Sequence, residues 1–248
     1  MATNAQLQLL IQRRLIDVPT SVTTEIQQLI NSAIRTAEET HNFKVMEASQ
    51  AYTTTTGSAS LGNLPSDWKS RRGEPYLRLG QDGVLGDRAI GYATDRQQIV
   101  NWYDVDNTNA YGEPEVLLET ATAFEVYPVP DANSQWTNGL HRVVVPYWKY
   151  LTDLSADANT NWFTTTQAGI DYIVDKATGE AFLLNWDETR AQLWLARAEG
   201  RGADGRLTPA SALARLIAVD RKLSQQPNPT FRPRPGPYGE YHPNNRSR

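Results

Sequence analysis

The sequence predicts an α+β protein: a helical bundle built from N- and C-terminal helices, an inserted and mainly antiparallel β domain, and an extended C-terminal arm. Three observations carry this prediction. Apolar residues recur at helical spacing up to Ala37 and again from Ile170, the text between is rich in Thr, Val, Tyr and turn residues, and the chain from Gln225 onward is dominated by Pro and Arg. The resulting partition is residues 1–43 for the N-terminal helices, 44–155 for the β insertion, 156–224 for the C-terminal helices and 225–248 for the arm.

Leu7, Leu10, Ile11 and Leu15 follow helical spacing behind Asn4, a candidate cap, and Pro19 closes the segment. After Ser21, the series Val22, Ile26, Leu29, Ile30, Ala33, Ile34 and Ala37 holds one face for more than four turns, with Glu25 where a helix dipole favours an acid. From Val45 to Thr56 the text turns β-rich, Gly57 and Gly62 punctuate it, and Leu64-Pro65-Ser66-Asp67 ends it, a pattern that fits a hairpin. Further strands are expected at Tyr76 to Leu79, Glu115 to Glu119, Ala123 to Tyr127 and Leu140 to Tyr150. Thr94-Asp95-Arg96-Gln97 reads as a capping box opening a short helix through Trp102. Helical text returns with Ile170, Ile173, Val174 and Ala177, continues through Phe182 and Leu183, and resumes after Asp187 with Leu193, Leu195 and Ala196. A last helix is expected to open at Thr208-Pro209 and to run through Leu213, Leu216, Ile217 and Val219.

Composition excludes several function classes. The 24 basic and 28 acidic residues leave a net charge of -4, so the chain is not one that coats nucleic acid through a global positive charge. With no cysteine there is no disulfide framework, thiolate nucleophile or thiolate metal site. His41, His141 and His242 are far apart, no apolar run approaches a membrane span, and Arg13 and Arg14 after Leu7 to Ile11 reverse the order of a secretory signal. Neither a G-x-S-x-G elbow nor an H-E-x-x-H helix occurs, and the carboxylates show no acid and base spacing. Gly200-Arg201-Gly202-Ala203-Asp204-Gly205 matches a dinucleotide fingerprint in letters but follows a helix instead of a strand, so it reads as an interhelical turn. Asp104, Asp106 and Asn107 hint at a calcium loop, yet Asn109 stands where glycine is needed; a polar turn fits better. Neither enzyme nor cofactor is expected.

The tail is a different material. Arg232, Arg234, Arg246 and Arg248 face a single acid, Glu240, among six prolines, so it cannot fold alone and favours an extended form. Such an arm loses little entropy on docking; Phe231, Tyr238 and Tyr241 can fill pockets while Arg232 and Arg234 meet acidic groups. DNA is a second partner class for this basic segment. Trp102, Tyr103, Tyr147, Trp148 and Tyr150 suit interface anchors or, as an alternative, a sugar site.

The order of several phrases resembles tailed-bacteriophage head-to-tail adaptor proteins, across roughly Leu7 to Leu223. These are Ile30-Asn31-Ser32-Ala33 at the end of a helical pair, Leu64-Pro65-Ser66-Asp67-Trp68 closing a threonine-rich β segment, and Phe124-Glu125-Val126-Tyr127-Pro128-Val129-Pro130-Asp131 ahead of a Val-Val-Pro-Tyr strand. Tyr147 or Tyr150, near Leu151 and Leu154, completes the pattern before the C-terminal helices. The resemblance implies a structural virion protein, made in the host cytoplasm, that forms a ring, commonly twelvefold, beneath the portal protein and receives a tail-side connector or tail protein. It also implies that the C-terminal extension grips the portal. DNA passing through the channel is a transient partner on this reading, and no membrane is involved. A tail-tube or baseplate protein, or a carbohydrate-binding tail protein, is the alternative.

Overall fold

A computed structural model describes residues 1–15, 25–78, 87–103, 111–130, 142–202 and 204–225. It is a mixed α+β fold with helices at both ends of the described chain and largely antiparallel sheets between them. Helix α1 (Asn4–Gln12) opens with Thr3, whose hydroxyl accepts from Gln6 N–H while Gln6 Oε1 accepts from Thr3 N–H. The expected cap, Asn4, is instead a buried first-turn residue, and its backbone N–H donates to Asn159 C=O. Helix α2 (Ile26–Thr40) buries Ile26, Ile30, Ala33, Ile34 and Ala37, the stripe expected from the sequence. Pro19, expected to close the first helical segment, and Val22, expected to begin the second helical series, lie outside the described residues.

A 3-10 turn at Lys44–Met46 leads into β1 (Glu47–Thr53), followed by β2 (Ser60–Asn63), β3 (Trp68–Arg71), β4 (Tyr76–Arg78), β5 (Asp87–Ala89), β6 (Gly91–Ala93), α3 (Arg96–Tyr103), β7 (Val116–Glu119), β8 (Ala123–Tyr127) and β9 (Arg142–Lys149). The expected hairpin does not form. β1 pairs with β9 and β2 with β8, so the two strands enter different sheets. Local turn text cannot distinguish a hairpin from a strand pair that parts company, because pairing is decided by distant partners.

β9 is the hub of the first sheet. One edge pairs with β1 along its whole length; the other is shared by β4, opposite Arg142 to Val144, and β3, opposite Tyr147 to Lys149. Pro146 sits at the handover, where its carbonyl accepts from Arg72 N–H at 3.3 Å and the ladder tolerates the amide it lacks. The second sheet runs β2-β8-β7-β6. Its β6–β7 pair is parallel, because α3 serves as the crossover between them. Asp95, not Thr94, caps α3: Asp95 Oδ1 accepts from Gln98 N–H, and Gln98 Oε1 accepts from Thr94 N–H, a capping arrangement shifted by one residue.

Leu77, Val143 and Val145 of the first sheet meet Leu117, Phe124 and Val126 of the second in one apolar core. On the far face of the second sheet, Val116, Leu118 and Tyr127 pack with Ile99 of α3. A third and larger core belongs to the helices: α1, α2, the short α4 (Trp162–Thr165), α5 (Gln167–Leu184), α6 (Glu188–Glu199) and α7 (Ala212–Gln225). α5 is its centre and buries residues on most of its faces, from Tyr172 and Ile173 to Ala181 and Phe182. Gly179 lets α6 approach, since a Cβ there would lie 2.8 Å from Leu195 Cγ. The buried face of α6 is Ala191 and Ala198, and Leu193, expected inside, is exposed. α7 starts later than Thr208-Pro209: Ser211 Oγ accepts from Ala214 N–H, and Thr208 to Ser211 form a preceding turn. At Gly200 to Leu207 the chain folds back on itself through an Arg201–Leu207 bridge, with Gly205 at φ 75°, so the glycine-rich phrase is an interhelical turn.

Candidate functional site

Two chain crossings join the helices to the sheets, at residues 41–47 and 149–154, and polar side chains of α2 and α7 bind them. Along one stripe of α2, Gln27, Asn31 and Glu38 face the returning chain. Gln27 Nε2 donates to Leu154 C=O. Asn31 clasps the same residue reciprocally: Nδ2 donates to Leu154 C=O at 3.2 Å, and Oδ1 accepts from Leu154 N–H at 3.0 Å. The backbone N–H and C=O of one residue are thus held by a side-chain amide as a neighbouring strand would hold them. Glu38 Oε1 accepts from Leu151 N–H at 2.8 Å, and Oε2 accepts from Arg35 at 3.0 Å. Arg35 reaches on to Asp153 at 3.0 Å and lies 4.3 Å from the centre of the Tyr150 ring. From β3, Lys69 Nζ donates to the backbone carbonyl of Glu38 and, at 2.6 Å, to Asn42 Oδ1.

Glu38 is fully buried. Burial pushes its carboxyl up to about 7 against the pull of Leu151 N–H, Arg35 and Lys69, and Asp153 adds to the rise. Burial also lowers Lys69, with Glu38 and Glu39 opposing that shift.

The other crossing anchors the last helix. Asp220 of α7 is buried; its Oδ1 accepts from Lys44 N–H at 2.8 Å and its Oδ2 lies 3.2 Å from His41 Nε2. Lys44 Nζ donates to Leu223 C=O at 3.3 Å. The last described turns of α7 are therefore tied to the segment that enters the sheets. The arm residues singled out from sequence, Phe231, Arg232, Arg234, Tyr238 and Tyr241, lie outside the described residues, as does the polar run at Asp104.

The phrases singled out in the sequence meet in space. Trp68 stacks on Tyr147 with ring centres 5.1 Å apart and meets Phe124 edge to face at 5.2 Å; Tyr52 reaches Phe124 at 5.6 Å. Tyr147 OH donates to Asp67 Oδ1 at 2.9 Å, and Tyr150 N–H donates to Asp67 C=O at 2.8 Å. Burial, reinforced by Asp67, pushes the Tyr147 hydroxyl up to about 12, so it remains a donor throughout the neutral range. Leu64-Pro65-Ser66-Asp67-Trp68, the Phe124 phrase and the Val-Val-Pro-Tyr strand are thus three sides of one joint between the sheets. Asn31 of the fourth phrase holds the chain that leaves it.

The sequence model described as SU10 adaptor protein matches residues 2–226. The chain belongs to the SU10 adaptor protein family. This is a head-to-tail connector and adaptor-like family, which places the chain among bacteriophage structural proteins of the virion. The match takes in every described element of the adaptor and stops one residue past α7, so the Pro- and Arg-rich tail falls beyond it. No curated protein matches the chain.

The adaptor's aromatic residues that suggested a sugar site are not brought together. Tyr147 is in the joint between the sheets, Trp148 packs toward the helical core, Tyr150 lies under Arg35, Tyr103 packs at the far face of the second sheet, and Trp102 is exposed on α3. Of the stripe of Gln27, Asn31 and Glu38, sequence reasoning singled out Asn31 alone, within the phrase Ile30-Asn31-Ser32-Ala33, and passed over Gln27 and Glu38. The signal of the stripe was present as polar residues at helical spacing beside an apolar stripe, a pattern that ordinarily marks a solvated face. No helix among the described residues is long and apolar enough to cross a membrane.

Proposed function

We propose that this chain is a head-to-tail adaptor that forms a ring, commonly twelvefold, beneath the portal, docks a tail-side component, and grips the portal through residues 225–248. In this reading the helices of 1–43 and 156–224 form the body, and residues 44–155 are an inserted β domain. The observation that carries it is the family match over residues 2–226. The anchoring of α7 by Asp220 and Lys44 supports the arm's part in it, because a fixed root lets binding energy at the tip act on the whole body. Ring symmetry then multiplies a modest contact, since one docked arm raises the effective concentration of its neighbours.

Removing the residues after Leu223 tests the arm. The truncated protein is expected to keep its circular dichroism spectrum and lose capture by the portal. Full-strength capture by a folded truncated protein refutes the gripping role. Imaging of the virion tests the position of the ring: density for this chain in the tail tube or baseplate would replace the adaptor reading with a tail-structural one.

A further inference from the structure

Apolar side chains left in water mark surfaces that find a partner when they cluster. Two such clusters lie on the helices. At the bend between α5 and α6, Leu183, Leu184 and Trp186 are exposed, Trp186 at 91 %, and Leu193 follows on α6 at 61 %. Glu188, two residues after Trp186, is exposed and makes no ion pair among the described residues. On α1, Leu9 and Leu10 are exposed and point away from the face that buries Leu7 and Ile11. Helical spacing puts Arg13 between them on that outer face, also exposed and without an ion pair among the described residues.

One patch is apolar with an anion, the other apolar with a cation. Both are exposed in the single chain, so they do not cover each other there. Arg14, at the end of α1, pairs with Asp175 of α5 at 2.5 Å. Leu184 lies nine residues further along that helix, a rise of about 14 Å. Complementary patches at separate places on one chain make a heterologous, head-to-tail contact, which forms a ring where the rotation between copies closes.

We infer that the α5–α6 bend of one copy, led by Trp186, docks on the outer face of α1 of the next copy, with Glu188 opposite Arg13. This rests on the ring reading and names its surface. A large aromatic side chain near the centre of an interface with a charge pair beside it has the make-up of a binding hot spot.

The absence of native cysteine gives a clean test. A full-length chain carrying Gln12→Cys and Thr189→Cys, exposed neighbours of Arg13 and Glu188 that leave Trp186 and the leucines in place, oxidised in its native state, is expected to give a ladder of linked dimers, trimers and higher species. Either single variant should stay monomeric. Adding Arg13→Glu should abolish the ladder, and adding Glu188→Arg to that variant should restore it. Absence of a ladder overturns the inference, as does dimerisation by Thr189→Cys alone to the same extent, which means bend-to-bend contact. Failure of the charge swap to restore the ladder overturns the Arg13–Glu188 pairing. Light scattering of the wild-type chain separates the two readings: oligomers without a ladder retain the ring and remove this surface, whereas a monomer at every concentration without a ladder removes both.

Discussion

Replacing Glu38 with glutamine keeps the size of the side chain and an acceptor for Leu151 N–H but removes the buried charge. In the folded protein the Glu38 carboxyl is pushed from 4.5 to about 7, chiefly by burial. Because the folded value lies above the unfolded one, the native state holds a proton between these limits that the unfolded chain has released. Stability therefore falls as pH rises through that window and is level on either side of it. At about 1.4 kcal/mol per pH unit the full effect is about 3 kcal/mol, and screening at the water-facing side of Arg35 and Asp153 lowers it to about 2 kcal/mol. Urea unfolding at intervals from pH 4.5 to pH 8 measures it. The wild-type chain should lose about 2 kcal/mol more than Glu38→Gln across this range. Comparison of slopes removes Glu180, which burial also raises, since it is common to both proteins. Parallel profiles for the two proteins would show that Glu38 does not pay a burial cost and that water reaches the crossing.

Two further substitutions probe the same framework. Asn31→Ala leaves the buried Leu154 N–H without its acceptor, although Gln27 still serves the carbonyl, and should cost about 1 to 3 kcal/mol in urea unfolding; a loss below about 0.5 kcal/mol would place it with neutral surface changes. Gly179→Ala sets a gain in helix propensity of about 1 kcal/mol against crowding of about 1 to 3 kcal/mol. Its Cβ would lie 2.8 Å from Leu195 Cγ and 3.2 Å from the Leu195 backbone nitrogen, which cannot swing away. A lower melting temperature is expected, partly restored by adding Leu195→Ala, and a raised one would show that α5 and α6 part readily.

Residue periodicity was enough to locate most elements. The α2 stripe, β8 at Ala123–Tyr127 and the helical face of Ile173, Val174 and Ala177 were legible because burial on one side repeats with the local backbone period. The caps were less so: Thr3 for Asn4, Asp95 for Thr94 and Ser211 for Thr208, since neighbouring polar residues compete for the same amides. Leu193 was misplaced because the fully buried residues of α6 are small, Ala191 and Ala198, and the leucine that meets α5 at Gly179 is Leu195. The candidate site divided in the same way. The four family phrases were visible as text; that Trp68, Phe124 and Tyr147 form one joint was not.

By itself, the sequence determined the helix, sheet and tail composition, the lack of thiol chemistry, and an order of phrases that pointed to a bacteriophage adaptor. These are properties of neighbours along the chain or of totals over it. Tertiary structure alone decided that β1 and β2 part into two sheets, that α3 makes one strand pair parallel, and that Glu38, Asn31 and Asp220 secure the crossings. Each depends on groups far apart in the chain, such as Asn31 and Leu154 or Lys44 and Asp220, whose meeting is set by the packing of whole elements rather than by any local preference.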